Sequence, residues 1–264
     1  MNLNRIISFG DSFTRGAELS DCVDIPFGVV LSDLNKYARE YEVIKSRKAF
    51  YFGEADIDGK RPQFEVLYSL STWPALIAKN MNVEYRCLAY SGCSNQTIIR
   101  TLTKFINELT PNDLVIIDWT FSNRWDYLDL EEPNVDRNWK TIRPSGNQIS
   151  EINEFYFKYL QSDEWNKWES LRAIMLATHL LKSRNIKYFM TCEDELIFDD
   201  KFHRPTYIKN CQDEVKNDIF WFDNNGFYNW SVNNNFPLGK QNNHPLEEAH
   251  RAAFEYIIKN YEFA

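Results

Sequence analysis

The chain has 264 residues, 44% of them hydrophobic and 16% aromatic, with a formal net charge of −8. That length fits one large domain, or one domain with sizeable insertions. With carboxylates in excess and no lysine or arginine block, nucleic acid and anionic membranes are poor partners, because phosphate binding needs clustered cations. No run approaches the roughly 20 apolar residues that span a bilayer. Met1–Arg5 leads into a strand without a secretory apolar region, so the expected location is the cytoplasm. Five widely spaced cysteines, with no Cys-x-x-Cys among them, read as free thiols rather than a disulfide frame or a zinc knuckle.

The first element is a buried strand over residues 3–9, ended by Gly10-Asp11-Ser12. A long polar and aromatic segment follows, about 17–70, with a short helix expected near Asp33–Tyr41. Ser71-Thr72-Trp73-Pro74 starts a helix, with a hydroxyl cap and proline in the first turn, that continues through Ala75–Met81. Val83–Ala89 reads as the second strand and Tyr90–Asn95 as a turn. The next helix presents Ile98, Leu102, Phe105, Ile106 and Leu109 on one face. Leu114–Trp119 is a continuous apolar strand of the kind buried on both faces of a parallel sheet.

A second insertion spans about 123–160. The long helix expected over Asp163–Arg184 carries Trp168, Leu171, Met175 and His179 on its apolar face. Ile186–Cys192 is a fourth strand, and an insertion at about 193–218 precedes a short fifth, Ile219–Phe222. An amphipathic helix, Pro245–Tyr261, closes the chain. Strands alternating with helices predict an α/β fold, a doubly wound parallel sheet with right-handed crossovers. The three insertions follow strand carboxyl ends and are expected to gather there as a cap.

A serine at the carboxyl end of a parallel strand stands where open α/β sheets bind ligands, and Ser12 occupies such a place. The search for a base is short, since there are four histidines. His179 reads as packed on its helix, His203 as exposed among charged neighbours, and His250 as structural inside the last helix. His244, just before Pro245, stands at the end of the sheet and is the candidate. In Ser91-Gly92-Cys93-Ser94-Asn95, glycine allows close backbone approach and a polar residue caps the next helix. Cys93 is expected to be a small buried thiol. The acidic run Asp126, Asp129, Glu131, Glu132 reads as a solvated edge rather than a metal site. Trp125, Trp139, Trp221 and Trp230 are expected either to stack on sugar rings or to pack the cap.

Gly10-Asp11-Ser12, the Gly92 turn and His244-Pro245 with His250 together resemble the SGNH/GDSL hydrolases. The likeness is greatest to divergent phage-encoded members, in which a tryptophan–threonine segment and a later arginine replace the usual Gly-x-Asn-Asp block, as in Trp119-Thr120-Phe121-Ser122-Asn123-Arg124. This resemblance implies a flavodoxin-like three-layer sandwich around a parallel sheet of about five strands, with residues 1–264 forming one domain. It implies Ser12 as nucleophile and His244 as base, with the N–H groups of Ser12 and Gly92 and a side chain, Asn123 or Thr120, as oxyanion donors. No cofactor or metal is expected. The implied activity is hydrolysis of a short acyl ester, such as an O-acetyl ester on a carbohydrate. The family's acid lies two or three residues before the histidine, where this chain has Gln241-Asn242-Asn243. The histidine-orienting group is then Asn242 or Gln241, or a distant carboxylate such as Asp223 or Glu195. The second reading is a weak or inactive binding or virion-associated module on the same fold.

Overall fold

The structure is a computed structural model that describes residues 3–21, 50–51, 65–66, 68–130, 139–144, 151–200, 206–240 and 242–263. In chain order its principal elements are β1 (Arg5–Phe9), α1 (Ser12–Arg15), α2 (Trp73–Met81), β2 (Glu84–Cys87), α3 (Asn95–Phe105) and β3 (Asp113–Trp119). Then come β4 (Trp125–Leu128), β5 (Trp139–Ile142), α4 (Asp163–Ser183), β6 (Lys187–Cys192), α5 (Thr206–Val215), α6 (Phe227–Asn233) and α7 (Glu247–Asn260). The expected helix at Asp33–Tyr41, as well as Cys22, Glu131, Glu132, His203 and Gln241, lies outside the described residues.

The central sheet runs β2-β1-β3-β6, all parallel. Register is set where Ser8 stands between Cys87 and Ile116, and Ile117 pairs with Met190. β3 is buried along its whole length, as its unbroken apolar run requires of a strand covered on both faces. The expected fifth strand is reduced to a single parallel bridge, Met190 to Ile219. Beyond it the Phe220 carbonyl accepts from Thr191 Oγ1, while Phe222 packs against α6 and α7 and Phe220 against α7.

Side chains alternate across the sheet with period two. Ile7, Phe9, Val115, Ile117 and Trp119 face α3, α4 and α5 in one core. Ile6, Leu114, Ile116 and Phe189 face α2, α6 and α7 in the other. The buried stripe of α4 runs through Ser170, Leu171, Ile174, Ala177, Thr178 and Leu181. His179 lies one position off that stripe, so its side chain is 59% exposed beside Glu214 rather than packed as expected. Residues 193–200 and 206–218 also depart from expectation. Ile197, Ile208, Cys211 and Val215 join the core against α4, so this segment thickens a helical layer rather than capping the sheet.

Candidate active site

The turn after β1 is built from small residues for steric reasons. A Cβ at Gly10 would overlap Thr14 and press on the Asp118 carbonyl. Asp11 caps α1 by accepting from the Phe13 N–H at 2.9 Å. This leaves Ser12 as the first residue of a single helical turn, 6% exposed, at the carboxyl end of the sheet. Gly16, in the left-handed region at φ 82°, ends that turn. Two residues on, Glu18 is also left-handed, at φ 66°. This is uncommon for a residue with a side chain and costs of order 1 kcal/mol.

The double reversal returns the Glu18 carboxylate toward Ser12, where His244 lies between them. His244 Nε2 is 2.8 Å from Ser12 Oγ, and His244 Nδ1 is 2.6 Å from Glu18 Oε2. The same Glu18 oxygen accepts from the Asn242 N–H at 3.1 Å and the His244 N–H at 3.3 Å. With the ring proton on Nδ1, donated to the carboxylate, Nε2 is left as an acceptor for the serine hydroxyl. The turn that carries His244 is closed by the Gly239 N–H donating to the His244 carbonyl. Gly239 lies against Glu18 so closely that a Cβ there would overlap the carboxylate.

The acid facing the histidine is therefore Glu18, which the expected candidates missed. Asn242 contributes only its backbone N–H, and to Glu18. Asp223 is occupied by Trp230 Nε1 and the Tyr256 hydroxyl. Glu195 accepts from the Gly226 N–H and Asn229 Nδ2. The sequence held one hint of Glu18: a carboxylate two residues beyond a glycine suited to a left-handed helix end.

A cleft of about 750 Å³ opens over this group, lined among others by Ser12, Gly92, Asn123, Arg124, Tyr228 and His244. Gly92, at φ 74°, brings its backbone to the cleft wall. Of the two side-chain donors expected, Thr120 is buried and donates to Asp11 Oδ2 at 2.7 Å, while Asn123 lines the cleft. Thr120 is held in turn by Asn95, whose amide pairs with its N–H and carbonyl. Arg124 Nη1 bridges Asp11 Oδ2 at 2.7 Å and the Cys93 carbonyl at 2.9 Å, tying the Ser12 turn to the Gly92 turn. Arg15 adds a second tie, Nη1 to Ser91 Oγ at 2.7 Å. Phe13, Phe121 and Tyr228 meet edge to face as an aromatic wall, and Phe13 also packs on the His244 ring with centroids 4.8 Å apart.

The other histidine near the sheet end, His250, is buried and accepts weakly from the Trp73 N–H; burial pulls it down to about 3, so it stays neutral. Cys93 is buried with its thiol on the Gly10 carbonyl, and burial pushes it well above the ordinary thiol range, as expected of an inert cysteine. Asp126 is not a solvated edge residue. It is buried and accepts from Thr97, Arg100 and Thr141. Trp125 stacks on Tyr156, Trp221 meets Phe198, Trp230 packs on Phe222, and Trp139 covers the Arg100 guanidinium; none of the four lines the cleft.

Beneath the site, Asp118 at the end of β3 and Glu193 just after β6 form a buried acidic pair. Glu193 is driven well above the carboxylate range by burial and by the nearby Asp118, which favours its protonated form. Burial above all, with the nearby charge of Asp11, raises Asp118 to about 7. Among the described residues no His, Cys, Asp and Glu cluster is arranged to hold a metal ion, and no helix is long and apolar enough to cross a membrane.

No protein-family model matches the sequence. A search of curated proteins finds no match either. Solved structures that the chain resembles include a lipolytic protein of the G-D-S-L family from Veillonella parvula, at 13% identity over 97% of both chains with a TM-score of 0.42. The esterase EstA of a Pseudoalteromonas species aligns at 8% identity over 97% of this chain and 95% of its own, with a TM-score of 0.45. The acetyl xylan esterase Est2A of Butyrivibrio proteoclasticus aligns at 13% identity over 98% of this chain and 63% of its own, with a TM-score of 0.46.

Proposed function

We propose that this protein is a serine ester hydrolase acting on short acyl esters, with O-acetyl groups on carbohydrate as the leading class. One observation carries the reading: the hydrogen-bonded sequence Ser12–His244–Glu18, with distances of 2.8 and 2.6 Å, whose Ser12 and His244 line an open cleft. A serine hydroxyl is a weak nucleophile until an adjacent base removes its proton, and that base needs a third group to fix its tautomer. Ser12 attacks the ester carbonyl as its proton passes to His244 Nε2. Glu18 then faces the imidazolium so formed.

The oxyanion is assigned to the N–H groups of Ser12 and Gly92 and the Asn123 amide, donors fixed before the reaction begins. His244 next protonates the departing alkoxide, leaving an acyl-serine. A water deprotonated by the same nitrogen hydrolyses this ester and restores Ser12. The aromatic wall of Phe13, Phe121 and Tyr228 suits a small apolar acyl group.

The test is covalent labelling with a fluorophosphonate, together with turnover of 4-nitrophenyl acetate. The wild-type protein is expected to label and to turn over. Ser12→Ala should abolish both, and His244→Ala should abolish turnover while leaving the fold intact by circular dichroism. Absence of labelling at neutral and mildly alkaline pH would overturn the hydrolase reading in favour of a binding module.

A further inference from the structure

The charge of the cleft runs against that of the chain. The protein as a whole carries −8, yet the described residues lining the cleft include three arginines and no aspartate or glutamate. Arg124 is accounted for by Asp11 and Cys93, as described above. Arg15 flanks the Gly92 wall through Ser91. Arg143 is different: it makes no hydrogen bond or ion pair with any described residue, although Asp126 and Glu18 lie on neighbouring elements and are both bonded elsewhere.

Its position is nonetheless defined. Arg143 directly follows β5, whose antiparallel pairing of Ile142 with Trp125 fixes the base of the side chain, and Pro144 follows it into the cleft lining. The guanidinium lies across Gly92 so closely that a Cβ at that glycine would overlap Nη1. A cation held at the wall of a reactive site, without a counter-charge among the described residues, focuses the field there and recruits anionic ligands. The planar fork of arginine matches two oxygens of a carboxylate or phosphate at once.

We propose that the ester this site takes carries an anionic group, a carboxylate or a phosphate, held by Arg143 at the Gly92 wall, while its apolar part lies on the Phe13–Phe121–Tyr228 wall. The proposal rests on the hydrolase reading and narrows its substrate class to acidic esters. Arg143 is then a specificity residue: it binds the substrate away from the bond that breaks.

The test compares matched esters in the wild-type protein, in Arg143→Gln and in Arg143→Lys. The pairs are 4-acetoxybenzoate against its methyl ester, for an anion on the alcohol side, and 1-naphthyl hemisuccinate against 1-naphthyl butyrate, for one on the acyl side. 4-Acetoxyphenyl phosphate separates phosphate from carboxylate preference. In at least one pair the anionic member is expected to show a kcat/KM roughly tenfold or more higher at low salt, as a charge-assisted pair provides. That ratio should shrink with added salt, fall to near unity in Arg143→Gln and survive in part in Arg143→Lys. Parity in every wild-type pair, or a preference that survives Arg143→Gln, would overturn the proposal. Calorimetric binding of the same pairs to Ser12→Ala separates this failure from that of the hydrolase reading. Anion-selective binding without Ser12 labelling would sink only the hydrolase reading, whereas equal or unmeasurable affinity for both members would sink the anion site.

Discussion

Replacing Glu18 by glutamine removes one charge and almost no volume, so it isolates what the carboxylate contributes. Glu18 Oε2 lies 2.6 Å from His244 Nδ1, and the two side chains are only 13% and 9% exposed. Unit charges about 4 Å apart at an effective dielectric of about 20 interact by about 4 kcal/mol. The imidazolium exists only once Ser12 has given up its proton, so this attraction acts on the transition state rather than on bound substrate. At about 1.4 kcal/mol per factor of ten, its loss is a rate decrease of about 10³. In a Ser-His-Asp protease the corresponding change costs about 10⁴, partly because the amide selects the wrong histidine tautomer. Here the N–H groups of Asn242 and His244 both point at the Oε2 position and favour an oxygen there over an amide nitrogen. The tautomer penalty should therefore be the smaller part. The expected result is a kcat/KM for 4-nitrophenyl acetate lower by about 10³, with KM nearly unchanged and thermal unfolding within a few degrees of wild type. A Glu18→Gln protein that keeps turnover within about tenfold of wild type would refute the assignment of Glu18 as the acid.

Two further substitutions probe the surroundings. Gly239→Ala places a methyl group on the Glu18 carboxylate; turnover is expected to fall by about 10–100-fold, since displacing a positioning group by about 1 Å costs about that much, and wild-type kinetics would show that the carboxylate has room to move. Asp118→Asn probes the buried pair. With its folded value raised to about 7 against about 3.9 in an unfolded chain, Asp118 binds its proton more tightly when folded, so it erodes stability as pH rises from about 4 to about 7. The variant should match wild type near pH 4 and melt higher near pH 8; unchanged melting at the upper pH would show that folding does not raise the Asp118 carboxyl.

The α/β architecture was legible because its signals are local. β3 reads as a doubly covered strand from Leu114–Trp119 alone, and Pro74 in the first turn places α2 within a residue or two, although the Thr72 hydroxyl makes no capping bond. Local signals failed where tertiary packing chose between near-equal faces. The apolar stripe of α4 accommodates a rotation of about 100°, one residue, and that rotation decides whether His179 is core or surface. Ile219–Phe222 has the composition of a strand, but only Ile219 bridges the sheet, while Phe222 packs against α6 and α7.

At the site, Ser12 and His244 could be named because few residues compete for either place, whereas Glu18 could not, since its role depends on two left-handed residues and a partner 226 positions away. Searching for the acid beside the histidine assumes that one loop must supply both. In this fold the segment Ser12–Glu18, α1 and the turn after it, supplies the serine and the carboxylate, Gly16 and Glu18 turning the chain so that both face one ring. The histidine loop then supplies the ring together with two N–H groups that bind the carboxylate, and a glycine that leaves it room. Each segment thus fixes a group belonging to the other. A displacement of residues 239–244 would release Glu18 as well as move His244, so substitutions in that loop should reduce turnover more than the loss of one histidine contact predicts.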